Sequence, residues 1–152
     1  MRFLTMLNTF VYLSTKKKLL FIEAFLFLGW ARILKMLPFS KVAPSLGDKM
    51  NETPYNSIDS HSIEIKNVSY AIHIMSKYTF WESECLVKAV AGMKMLKRRN
   101  IDSTLYLGIA KDAAGKMIAH AWLRSGSFYI SGSEGMEKFT IVGVFAKRIK
   151  SN

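Results

Sequence analysis

Hydrophobic and polar positions change their rhythm at Asn100. Before it, apolar residues recur every three to four positions, as in helices with one buried face; after it they alternate, as in strands. The first part predicts two N-terminal helices. One ends near Ser14-Thr15, and Thr15 caps a second that runs from Lys16 to Leu37 and stops at Pro38. In "PSLGDKMNETPYNSIDSHS", residues 44–62, prolines and polar turn formers crowd together and predict an exposed linker. A helix over 63–77 follows, with Ile65, Val68, Ile72 and Met75 at helical spacing. The next helix is specified at both ends. Ser83 is a favoured N-cap, Glu84 suits the positive end of the dipole, Lys97, Arg98 and Arg99 fill the last turn, and Asn100 tolerates a left-handed stop. Leu86, Val90, Met93 and Leu96 form its core stripe, and Ala89 and Gly92 permit close packing.

Four strands are expected beyond Asn100: "STLYLGIAK", "GKMIAHAWLR", "SFYISGS" and "KFTIVGVFAK". Short turns between them predict an antiparallel meander. With Ser125-Gly126 as a two-residue turn, Arg124 pairs with Ser127, Trp122 with Tyr129 and His120 with Ser131. Ile118, His120 and Trp122 then share a face with Tyr129 and Ser131. The pattern adds up to an α+β protein in which a cysteine-bearing helix packs on an antiparallel sheet. Its expected divisions are an N-terminal helical extension over 1–43, a linker over 44–62 and a core over 63–152.

Composition narrows the choices. A chain of 152 residues, half of them hydrophobic, builds one core. A lone cysteine beside nine methionines suits a reducing compartment, and a cytoplasmic location is expected. No Cys and His spacing fits structural zinc, and no metal or cofactor is predicted. The balance of 22 basic to 11 acidic residues, net +11, draws acidic partners of any kind. Nucleic acid is not among those expected: the one dense basic run after the N-terminus is "KRRN", and no recognition motif accompanies it. The second N-terminal helix is broken by Glu23, Arg32 and Lys35, which argues against a membrane span. Lysines that follow the first apolar stretch, with no small-residue cleavage site, argue against a signal peptide. The expectation is a helical hairpin packed on the core, with a peripheral membrane or partner-docking surface as the alternative.

The only cysteine, Cys85, lies in the first turn of its helix, where free N–H groups and the dipole favour a thiolate. A single helical cysteine is commonly an inert small hydrophobe. A strand histidine such as His120 is commonly a hydrogen-bonded core imidazole. Together they carry more weight. A cysteine at a helix start, followed by a histidine on a strand of the next sheet, is the arrangement in which imidazole takes the thiol proton and returns it to a leaving group.

The segments "CLVKAVAGMKMLKRRNIDSTLYLGIAKD", "AHAWLRSGSFYISG" and "FTIVGVFAK" resemble the small transglutaminase-like cysteine proteases of lasso-peptide biosynthesis, in the split form without a fused leader-recognition domain. "LLFIEAFLFLGWARILKMLPF" is similar too. The resemblance implies a papain-like α+β fold and removal of a leader from a ribosomally made precursor peptide. It also implies two partners, a small leader-recognition protein and an ATP-dependent macrolactam cyclase. Carried over residue by residue, Cys85 is the nucleophile and His120 the general base. Many relatives place an Asp downstream of the histidine, where this chain has Ser131 and Gly132, with Glu134 the nearest acid. The register above makes Ser131 the expected orienter of His120, and Glu134 the alternative if the strand bends. The backbone N–H of Cys85 is the expected oxyanion donor. Two other classes share the pattern: a non-catalytic peptide-binding scaffold, and another transglutaminase-like acyl-transfer enzyme.

Overall fold

The computed structural model describes residues 2–56 and 59–149. Its first half is helical: α1 (Arg2–Tyr12), α2 (Thr15–Lys35) and a short α3 (Phe39–Leu46), then α4 (Ser62–Met75) and α5 (Cys85–Arg98). The strands are β1 (Asp48–Lys49), β2 (Ser103–Lys111), β3 (Met117–Ser125), β4 (Phe128–Ser131) and β5 (Thr140–Lys147). They form one antiparallel sheet in the order β1-β5-β2-β3-β4.

Burial of α5 organises everything else. The helix lies between the sheet on one side and α2 and α4 on the other, so Val87, Ala89, Val90, Met93, Met95 and Leu96 are all buried. That is wider than the single stripe expected from spacing. Small residues make the close approach feasible: a Cβ on Gly92 would stand 2.9 Å from Leu123 Cδ2. Leu105, Leu123 and Phe145 from the sheet meet Leu28 of α2 and Val68 and Ile72 of α4 in the same core. Each such side chain contributes about 1.5–3 kcal/mol through removal from water. The second helix is therefore a core element, with Ala24 and Leu28 fully covered. Glu23 fixes it to α5: Arg99 holds the carboxylate with both terminal nitrogens, at 2.9 and 2.7 Å, and Arg98 adds a third contact at 3.1 Å.

Asn100 takes the left-handed conformation expected of the α5 stop, at φ 56°. Several expectations are corrected. Ser14, not Thr15, occupies the cap position of α2, and it makes no side-chain cap bond. Glu84 stands before α5 in the cap position expected for Ser83, because the Ser83 hydroxyl is engaged with Thr79 Oγ1 at 2.8 Å. The stretch expected to be an exposed linker over 44–62 is mostly exposed in its described part, but it is anchored to the core at a few points. Leu46 is buried, Asp48 and Lys49 pair with β5, and Thr53 is buried against Thr104. Arg124 explains that docking, since its guanidinium donates to the carbonyls of Thr53 and Gly126 at 2.8 and 2.7 Å and lies over Tyr55.

The strands are not a simple meander. β5 leaves β4 and returns beside β2, because Phe145 belongs to the core opposite Leu105 while β4 ends after four residues. The β3–β4 turn is one residue later than expected. Gly126, at φ 56°, and Ser127 form it, so Ser125 pairs with Phe128 and Arg124 with Tyr129. A bulge follows, and Ser131 lies opposite Leu123 rather than His120.

Candidate active site

Cys85 is the first residue of α5 and is half-buried at the edge of the core. The intrahelical bonds begin with Lys88 N–H to Glu84 O, so the three N–H groups before it, starting at Cys85, have no helical partner. The segment leading into the helix is anchored to α2. Trp81 packs on the Phe25 ring at 4.9 Å and against Gly29, where a Cβ would stand 3.3 Å from the indole. Glu82 accepts from Lys35 and approaches Arg32, and Thr79 donates to the Trp81 carbonyl. None of these positions stood out in the sequence, although an aromatic and an acid just before a cysteine-bearing helix are the residue types such an anchor needs.

His120 stands on β3, opposite Gly108 of β2. Strand alternation places its ring with Trp122, on the face away from Leu123. The ring packs between Trp122 (5.8 Å between centroids) and Phe139 (4.9 Å). Its Nε2 donates to the Gly132 carbonyl at 2.7 Å. With that nitrogen protonated, the neutral ring leaves the Nδ1 lone pair available as an acceptor. Gly132 can come this close only because it is glycine. It has φ 76°, and a Cβ there would lie 2.3 Å from the Ala121 carbonyl oxygen and 2.9 Å from Trp122 Cβ.

Ser131 therefore does not orient His120 in this structure: the slipped register and bulge set it against Leu123, and its buried hydroxyl has no partner. Glu134 is exposed and makes no ion pair with the imidazole among the described residues. The position next to Ser131 does what neither side chain does, through its main chain.

Cys85 and His120 fall at a similar height along the sheet but are not brought together: α5 packs on the face of β3 that carries Leu123, and the imidazole lies on the other face with Trp122. Gly92 of α5 faces Leu123 of β3, and the connection of α5 to β2 through residues 99–102 makes α5 run in the direction of β3. Cys85 precedes Gly92 by seven residues, about 10 Å along a helix. His120 precedes Leu123 by three, about 10 Å along a strand. Among the described residues no hydrogen bond joins Cys85 to His120. Nor does any group of three or more His, Cys, Asp or Glu side chains gather there to hold a metal ion.

A sequence model of the transglutaminase-like superfamily matches residues 25–144, most of the chain. The chain belongs to the transglutaminase-like superfamily. The matched stretch begins at Phe25 inside α2 and ends at Val144 in β5, so Cys85, His120 and Gly132 all fall within it. Neither a curated protein nor a solved structure gives a significant match. The transglutaminase-like fold is compatible with cysteine protease or acyl-transfer chemistry, both of which begin with a thiol attacking an acyl carbon.

Proposed function

We propose that this transglutaminase-like chain is a leader peptidase that cleaves the leader from a ribosomally made lasso-peptide precursor. It acts with a separate leader-recognition protein and an ATP-dependent macrolactam cyclase. The observation that carries the catalytic part is the Nε2 bond of His120 to the Gly132 carbonyl, which leaves the Nδ1 lone pair free to act as a base. The peptide specificity rests on the resemblance of the "CLVKA" and "HAWL" segments.

In the proposed reaction His120 Nδ1 takes the Cys85 proton as sulfur attacks the scissile carbonyl. The oxyanion that forms is held by N–H groups at the start of α5. As the C–N bond breaks, the imidazolium returns its proton to the departing amine, leaving a thioester. Water, deprotonated by the imidazole, attacks the thioester, and the thiol and a carboxylic acid are released. A carbonyl stabilises the transient imidazolium less than a carboxylate does.

Incubation with precursor and recognition protein, followed by mass spectrometry, tests this directly. Leader release is expected, with loss of at least 100-fold in Cys85→Ala and His120→Ala variants that keep wild-type circular dichroism. Cleavage by Cys85→Ala at the wild-type rate would refute the mechanism. Tight precursor binding without cleavage, and no iodoacetamide trapping of Cys85, would favour the scaffold. Products carrying an added amine in place of water would identify an acyl transferase.

A further inference from the structure

We propose that the N-terminal helices α1 and α2 dock this protein on an anionic membrane surface. The second helix is apolar on two sides. Its inner side, with Phe21, Ala24, Leu28 and Ala31, is buried in the core. Its outer side carries Leu19, Ile22, Leu26 and Ile33, which share an arc of about 60° at 100° per residue and are each 48–64 % exposed. The first helix repeats the theme: Met6 and Phe10 pack inward, while Leu4, Leu7 and Val11 stand exposed at a spacing of three and four. Each of the two helices thus carries an exposed apolar stripe.

Charge at the α1–α2 junction has one sign. Lys16, Lys17 and Lys18 sit at the start of α2, and the only acid in residues 2–47 is Glu23. Its carboxylate is already held by Arg98 and Arg99. Apolar stripes bordered by lysines, without a free acid, complement phosphate headgroups over acyl chains. A groove of about 640 Å³ between α1 and α4, walled by Met6, Phe10, Phe21, Tyr70 and Ile74 and also by Lys17, adds apolar room beside a cation. The net charge of +11 sets one copy against another and weighs against self-association over this face. No helix among the described residues is long and apolar enough to cross a membrane, so docking is in the plane of the surface.

The test is co-sedimentation of the full chain with phosphatidylcholine vesicles, with and without phosphatidylglycerol. Three lysines at an anionic surface predict a partition coefficient about 100-fold higher with phosphatidylglycerol, falling as salt is raised. Lys16→Gln, Lys17→Gln and Lys18→Gln together should remove that increment. Leu19→Glu with Leu26→Glu, both exposed and therefore compatible with folding, should abolish binding while the melting temperature stays unchanged. Equal partition onto both vesicle types would overturn the proposal. So would a concentration-dependent dimer in light scattering that the Leu19→Glu, Leu26→Glu variant dissolves, since a second copy would then own the face.

Discussion

Replacing Gly132 by alanine separates an oriented imidazole from an unoriented one without replacing any side chain of the site. At φ 76° a Cβ costs about 1–2 kcal/mol in backbone strain alone. The larger effect is positional. The new methyl would stand 2.3 Å from the Ala121 oxygen, whereas carbon and oxygen in contact need about 3.3 Å, so the chain must withdraw by about 1 Å. The Gly132 carbonyl, now 2.7 Å from His120 Nε2, would then stand at about 3.7 Å, beyond hydrogen-bond range. A 1 Å misplacement is worth about 100-fold in rate. The assay is kcat/KM for the proposed precursor cleavage, with thermal melting to confirm a folded variant and iodoacetamide alkylation of Cys85 as a second readout. Ser131→Ala and Glu134→Gln should each stay within about twofold of wild type, because the buried Ser131 hydroxyl and the exposed Glu134 carboxylate make no bond to the imidazole. A folded Gly132→Ala variant with wild-type kcat/KM would refute the carbonyl's role, and so would an inactive Glu134→Gln.

Three further outcomes are expected. Gly108→Ala places a Cβ 2.8 Å from Phe139 Cβ and 2.9 Å from the Trp122 ring, the two groups that sandwich His120, and should lower kcat/KM by about tenfold at little change in KM. Glu23→Gln leaves Arg98 and Arg99 without their carboxylate and should cost about 2 kcal/mol in urea denaturation, because the hydrogen bonds lost are charge-assisted and partly buried. Burial first, and the neighbouring Glu52 second, hold the Tyr106 phenol above its usual range. The unfolded chain releases that proton near pH 10 while the folded chain keeps it, so stability falls as pH rises past about 10. Alkaline denaturation should be shallower in Tyr106→Phe, and an unchanged pH slope would contradict the assignment.

Most elements were legible because their signals are local. The spacing of Ile65, Val68, Ile72 and Met75 became α4, "STLYLGIAK" became β2 residue for residue, and Asn100 took the left-handed stop. Cys85 and His120 stand where the pattern put them, at a helix start and on a strand. What was missed depends on distant partners. Ser83 reads as a cap until Thr79 claims its hydroxyl. The 44–62 stretch is largely exposed as its polar residues predict, but its anchor is Arg124, hidden in a strand, which holds the Thr53 and Pro54 carbonyls. The β3–β4 register failed by one residue because Ser125-Gly126 and Gly126-Ser127 are equally good turns on paper. The orienting group escaped for a different reason: every residue has a carbonyl, so its only trace in sequence is a glycine.

That trace bears on how such a site evolves. A carboxylate orienter is lost by one codon change, whereas a main-chain carbonyl survives any change of side chain that the backbone tolerates. The constraint passes from the chemistry of one residue to the shape of a turn: position 132 must admit φ 76° and an empty volume beside Ala121. Ser131 and Glu134 are then free to drift toward substrate contacts. Homologues built this way would escape a search for the acid yet be found by a glycine at the end of the strand after the histidine.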